Sequence, residues 1–243
     1  MEIKKKLNSS NIELNDLYDY ENRYIYQYSG GFKFSLDSLL LAEYIDNLKD
    51  NSLVLDLCSG NSVIPLVLTT KAKCKIDAVE IQEEIYDLAI RSIKYNNLEH
   101  NISVFNQNIN EFNIDKIYDI VTCNPPFFKI NEESMRNDNE ILRIARHEEK
   151  MVLEDIFRIS YKYLKDGGYL YLVHRSSRLD ELISLGLKYK IPVKKIQLIK
   201  TGENKKPTII LIKAKKNAKS GLVINDVLNI ANYTTYKNIF KEK

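Results

Sequence analysis

Tyr118-Asp119-Ile120-Val121-Thr122-Cys123-Asn124-Pro125-Pro126-Phe127 is an apolar run that stops at two prolines. A short run of this kind reads as a strand buried on both faces, as parallel strands are. Proline cannot donate to a strand ladder, and the residue before a proline is pushed out of the helical region. The chain therefore leaves the sheet rigidly after Cys123. One carboxamide (Asn124), one carbonyl (Pro125) and one aromatic face (Phe127) are then held at the carboxyl edge of a sheet, where open α/β folds bind ligands. The group suits an aromatic amine. The Asn124 amide oxygen and the Pro125 carbonyl can accept both N–H bonds of an exocyclic amino group, and Phe127 can stack on its ring. Read from Pro-Pro alone, the alternative is a rigid strand-to-loop turn with a buried Phe.

Upstream and downstream of this stretch, strand and helix patterns alternate. Strands are predicted at 53–57, 75–81, 102–105, 118–123, 169–173, 193–199 and 208–214, and helices at 36–45, from 63, at 83–96, 153–164 and 178–189. The fourth of these helices is expected to stop at Asp166-Gly167-Gly168. Such alternation predicts a Rossmann-like, doubly wound α/β fold. Its sheet should have seven strands, mostly parallel, with an antiparallel strand near one edge, because the last two strands are joined only by the Gly202–Pro207 turn. Residues 1–28 read as an N-terminal extension. Its alternating Tyr24, Tyr26 and Tyr28 suit a strand or hairpin arm, either lying as a lid on the main domain or stacking on bases. Residues 29–243 form one domain, with a Lys-rich part at 186–243. The polar stretch 129–143 is predicted as a loop that closes over a substrate.

Leu53-Val54-Leu55-Asp56-Leu57 followed by Cys58-Ser59-Gly60-Asn61-Ser62 is a strand, an acidic residue and a small-residue loop into a helix. It is neither a dinucleotide fingerprint nor a phosphate-binding loop. A carboxylate there repels pyrophosphate and favours a cation. Glu80 ends the next strand, 24 residues after Asp56, the position of an acid that takes ribose hydroxyls. One acid for a cation, one for a ribose and no phosphate cradle point to S-adenosylmethionine.

The series Asp56, Gly60, Glu80 and Asn124-Pro125-Pro126-Phe127 resembles class I S-adenosylmethionine methyltransferases of the amino-methylating group. Three further segments narrow the likeness: 32–42, Ile144-Ala145-Arg146-His147-Glu148, and Val173-His174-Arg175-Ser176-Ser177-Arg178-Leu179. With them the chain is similar, from about Tyr24 to Phe240, to the tRNA adenine-N6 methyltransferases that modify adenosine-37 of a valine tRNA. The resemblance implies methyl transfer to that N6. It implies cofactor contacts at Asp37, Asp56, Cys58, Gly60, Glu80, Ile81, Asn108 and Asn124, with Asn124, Pro125 and Phe127 at the reacting amine. Phe127, Phe128, Arg146, Lys205, Lys206, Lys215 and Lys216 become substrate contacts. The chain departs from the family at Cys58, where glycine is usual, and near Ser62. Arg146, His147 and Glu148 also read as a salt-bridged helix start, and His174 as a packed strand-end residue.

Composition agrees with an ordinary globular chain, with 44% hydrophobic and 28% charged residues. No apolar run has the roughly 18 residues of a membrane span, and no signal-peptide pattern follows Met1, so a cytoplasmic protein is expected. Three cysteines without a Cys-x-x-Cys pair argue against a disulfide framework, and three scattered histidines give no metal-ligand spacing. The net charge is +3, yet residues 186–243 hold 14 Lys against 3 acidic residues, a local net of +11. A basic end on an otherwise acidic chain fits a polyanionic partner such as tRNA. Three other activities use the same features: methylation of guanine N2 in ribosomal RNA, methylation of a release-factor glutamine, and RNA binding without catalysis.

Overall fold

The run Leu53–Leu57 forms β3, and its residues divide between the two faces of a sheet. Val54 packs in the core on one side, Leu55 and Leu57 on the other, and none of the three is exposed. A strand covered on both faces needs an apolar residue at nearly every position, which is why these strands read as continuous runs. The computed structural model describes residues 12–17, 20, 22–29, 36–126, 153–234, 237 and 239–240. The predicted loop at 129–143 and the residues Phe127, Phe128, Arg146, His147 and Glu148 lie outside the described residues.

Beside β3 run β4 (Lys75–Glu80) and β5 (Ile102–Asn106) on one side and β6 (Tyr118–Cys123), then β7 (Leu164–Arg175), on the other, all parallel. Next comes β9 (Ile209–Lys215), antiparallel to both β7 and β8 (Val193–Lys200). These are the seven strands expected from the sequence. Two short strands, β10 (Val223–Ile224) and β11 (Leu228–Asn229), add to the outer edge of β8. One face carries α1 (Leu36–Tyr44), α2 (Val63–Lys71) and α3 (Glu83–Tyr95). The other carries α4 (Leu153–Tyr163) and α5 (Leu179–Lys188). Among the described residues, no helix is long and apolar enough to cross a membrane.

β1 (Ile12–Asp16) and β2 (Tyr24–Tyr28) form a separate antiparallel hairpin. It docks on α3: the Tyr26 amide donates to Ser92 Oγ at 2.9 Å, the Tyr24 amide to Asn96 Oδ1 at 3.0 Å, and both rings meet Tyr95 edge-on. Tyr24 and Tyr26 thus lie against the domain's own helix.

The structure corrects one local expectation. Asp166-Gly167-Gly168 does not cap α4. The helix passes at Leu164 directly into β7, and the two glycines lie within that strand, where its register against β6 shifts. Gly167 takes a φ of +73°, and a Cβ on Gly168 would meet the backbone oxygens of Lys165 and Asp119 at 2.9 and 3.0 Å, so a left-handed bend and a close approach within the strand, rather than helix termination, explain the pair.

Candidate active site at the carboxyl edge of the sheet

The strand order reverses between β3 and β6. From β3 the chain moves to β4 and β5, then returns to lay β6 against the other side of β3. Loops leaving neighbouring strands diverge at such a point and open a crevice outside their carboxyl ends. Asp56, Glu80 and Asn124 all stand there, at or just beyond the ends of three adjacent strands.

Asp56 is fully buried. Its Oδ1 accepts from Thr122 Oγ1 at 2.5 Å, its register partner on β6, while Oδ2 has no hydrogen-bond partner among the described residues. Burial pushes its carboxyl up to about 7, against the opposing pull of the Thr122 and Ser59 hydroxyls and with a further rise from nearby Glu80. The loop that follows turns sharply, with Cys58 (φ 55°), Gly60 (φ 58°) and Ser62 (φ 70°) all left-handed. A Cβ at Gly60 would meet nothing within 4 Å, so the loop faces open space there. The left-handed backbone rather than crowding selects glycine at this position. Cys58 and Ser62 hold the same conformation against their side chains' preference.

Glu80 ends β4 and is 4% exposed. Both carboxylate oxygens are braced: Oε2 accepts from the Gly60 amide and Oε1 from the Gln82 amide, each at 2.8 Å. Burial raises its pKa, and those amides oppose the rise. Ile81, next in the chain, is exposed. Asn108 follows β5. Its Oδ1 accepts from the Asn110 amide at 2.9 Å and its carbonyl from the Glu111 amide, which shapes the turn there. The Gln107 amide and the Asn106 side chain bond the Glu80 carbonyl and tie this turn to the end of β4. Asp56, Cys58, Gly60, Glu80, Ile81 and Asn108, all predicted cofactor positions, therefore lie at or just beyond the ends of β3, β4 and β5.

Asn124 is half-buried and donates from Nδ2 to Ser38 Oγ in the first turn of α1 at 2.8 Å. Beside Ser38 lies Asp37, whose pKa burial raises and nearby Arg175, the last residue of β7, lowers in part. His174 is buried and pushed down to about 4, first by burial and then by the charge of Arg178, so it is neutral and packed.

The four predicted lysines do not stay together. Lys205 and Lys206 are exposed in the turn joining β8 to β9, beside Arg175 and Ser176, at the carboxyl edge. The antiparallel β9 then carries Lys215 to the other edge, opposite Tyr169, about 20 Å away at some 3.3 Å per residue. Lys216 is turned inward and donates to the carbonyls of Tyr161 (2.8 Å) and Leu164 (2.7 Å), at the end of α4. Thr122 and Ser38 were not singled out in the sequence. Thr122 is findable from the β3–β6 register, but Ser38 lies 86 residues from its partner and carries no local signal. Among the described residues, no group of three His, Cys, Asp or Glu is arranged to hold a metal.

Comparison with known proteins places this geometry in context. Residues 32–185 match the family "Methyltransferase small domain". A tRNA1(Val) (adenine(37)-N6)-methyltransferase of Flavobacterium psychrophilum is 22% identical over 214 residues, spanning 86% of this chain and 90% of that one. Among solved structures, a predicted O-methyltransferase from Agrobacterium tumefaciens superposes with a TM-score of 0.63 at 18% identity, over 80% of this chain and 88% of that one. Pyrococcus horikoshii TYW2 in complex with MeSAdo superposes with a TM-score of 0.61 at 14% identity, over 87% and 74%.

Proposed function

The chain belongs to the methyltransferase small domain family, and from that premise we propose that it methylates the exocyclic N6 of an adenosine in tRNA, adenosine-37 of a valine tRNA. The reading rests on the meeting of Asp56, Glu80 and Asn124 at the strand-order reversal. It is supported by the named activity of the Flavobacterium relative and by the basic turn at Lys205 and Lys206.

S-adenosylmethionine, when bound, supplies an electrophilic methyl group carried on a sulfonium sulfur. The residues present fit it. Asp56, at the end of β3, keeps one buried carboxylate oxygen without a hydrogen-bond partner among the described residues, an acceptor suited to a cation, and the loop four residues on is open at Gly60. Glu80, fixed by two amides, offers its carboxylate to ribose hydroxyls. Glu80 cannot turn away without breaking two charge-assisted hydrogen bonds.

Asn124 and Pro125 do the work at the substrate. An adenine amino group is a poor nucleophile because its lone pair is delocalised into the ring. The Asn124 amide oxygen and the Pro125 carbonyl accept its two N–H bonds and favour a pyramidal nitrogen, which returns the lone pair to N6. Phe127 stacks on the ring of a base that has left its stack, which costs less in an anticodon loop than in a duplex. No general base is required before transfer, since the methylated amine is a strong acid that sheds its proton from N6. Positioning of this kind is worth roughly 7–11 kcal/mol of barrier.

The experiment is methylation of unfractionated tRNA followed by mass spectrometry of its nucleosides. The wild-type chain should produce N6-methyladenosine and Asn124→Ala should not, while tRNA affinity and thermal stability stay near wild type. N6-methyladenosine formed by Asn124→Ala at wild-type rate, or methylation of another nucleoside instead, would refute the reading.

A further inference from the structure

The bond between Asn124 and Ser38 joins the end of β6 to the first turn of α1, across 86 residues. We propose that Ser38 is a positioning residue for methyl transfer, acting through the Asn124 carboxamide; this rests on the function proposed above. The backbone at Asn124 is already set by the two prolines that follow. The terminal torsion of an Asn side chain is broad, however, and backbone rigidity does not restrain it. A tether at one end of the amide fixes that last torsion. With Nδ2 bonded to Ser38 Oγ, the nitrogen end of the amide is held at α1 and the amide can no longer flip, so that its oxygen stays the acceptor an amino N–H needs.

α1 is a firm platform for this. Leu39, Leu40, Leu41 and Ala42 follow Ser38 directly and are all fully buried. Lys71 Nζ donates to the carbonyls of Ala42, Glu43 and Ile45 around the far end of the helix, at 2.8, 3.2 and 3.2 Å. A hydroxyl mounted on a packed helix holds its partner more narrowly than one on a loop.

The test is steady-state kinetics on tRNA for wild type, Ser38→Ala, Ser38→Thr and Asn124→Ala, with cofactor affinity by calorimetry and thermal unfolding on each protein. Ser38→Ala should lower kcat about 3- to 10-fold, the effect of one neutral hydrogen bond. KM for tRNA, cofactor affinity and stability should stay near wild type. Ser38→Thr keeps the hydroxyl and should restore most of kcat. An unchanged kcat in Ser38→Ala, equal losses in the Ala and Thr variants, or a loss of kcat matched by lost cofactor affinity would each overturn the proposal. If Asn124→Ala is inactive while Ser38→Ala is unimpaired, only the role of Ser38 fails. If Asn124→Ala is itself unimpaired, the function proposed for the tetrapeptide fails as well.

Discussion

Carboxylates in the two halves of this sheet meet opposite surroundings. In the amino-terminal half and below α1, Asp77, Asp119 and Asp46 are each answered by a lysine. Asp77 accepts from Lys116 and the buried Tyr118, both at 2.7 Å. Asp119 pairs with Lys165 and the Leu53 amide. Asp46 meets Lys213, Lys195 and Tyr171. Burial alone would raise the pKa of Asp46 and Asp119, but these partners outweigh it and hold both below the usual carboxylate range. At the carboxyl edge Asp37, Asp56 and Glu80 are displaced upward by burial. Asp56 and Glu80 are buried against hydroxyls and amides rather than a lysine, which leaves burial the larger effect, and raised acids of this kind at a crevice point to use rather than folding. The first set ties neighbouring elements together, and the second is the set we propose for the ligand.

The largest expected effect concerns Asp56 and pH. An unfolded aspartate titrates near 3.8 and Asp56 in the fold at about 7. Ionisation therefore weighs on the folded state progressively as pH rises between those values, and not below them. The difference between those two values corresponds to roughly 4 kcal/mol as an upper bound. In urea unfolding without cofactor, Asp56→Asn should gain stability relative to wild type as pH is raised from 4 to 8. A difference that stays flat over that range, or moves the other way, would break the contrast between the two sets.

A smaller effect separates the lysines at the two edges. In tRNA binding, the double variant Lys205→Glu, Lys206→Glu should flatten the slope of log affinity against log salt by about 1 to 2, since each phosphate contact contributes close to one. Lys215→Glu, some 20 Å away by strand length, should leave the slope as it is. Equal slopes in all three proteins would leave the basic turn as solvated surface.

Much of this arrangement was legible in the sequence because a parallel strand announces itself and its carboxyl end is where such a sheet exposes chemistry. Asp56, Glu80 and Asn124 could be brought to one edge by reading strand ends alone. What escaped was set by direction and by distance. Lys205 and Lys215 are near neighbours in sequence, but β9 runs antiparallel and carries them to opposite edges. Lys216 reads as one more surface charge, and only the strand's return past α4 turns it inward. Asp166-Gly167-Gly168 has the composition of a helix stop, yet both glycines lie inside a strand, Gly167 for its left-handed backbone and Gly168 for the carbonyls of Lys165 and Asp119 close against it. Ser38 shows nothing in its own segment that would distinguish it, because its role depends on a partner 86 residues away.

The central claim, that the raised carboxylates form the ligand site and the paired ones do not, is tested most directly by calorimetric titration of S-adenosylmethionine into wild type, Glu80→Gln and Asp77→Asn under one set of conditions. Loss of a charge-assisted hydrogen bond in Glu80→Gln should cost about 1.5–3 kcal/mol of binding, upwards of tenfold in affinity, while Asp77→Asn stays within about twofold of wild type. Wild-type affinity in Glu80→Gln, or an equal loss in Asp77→Asn, would contradict the account.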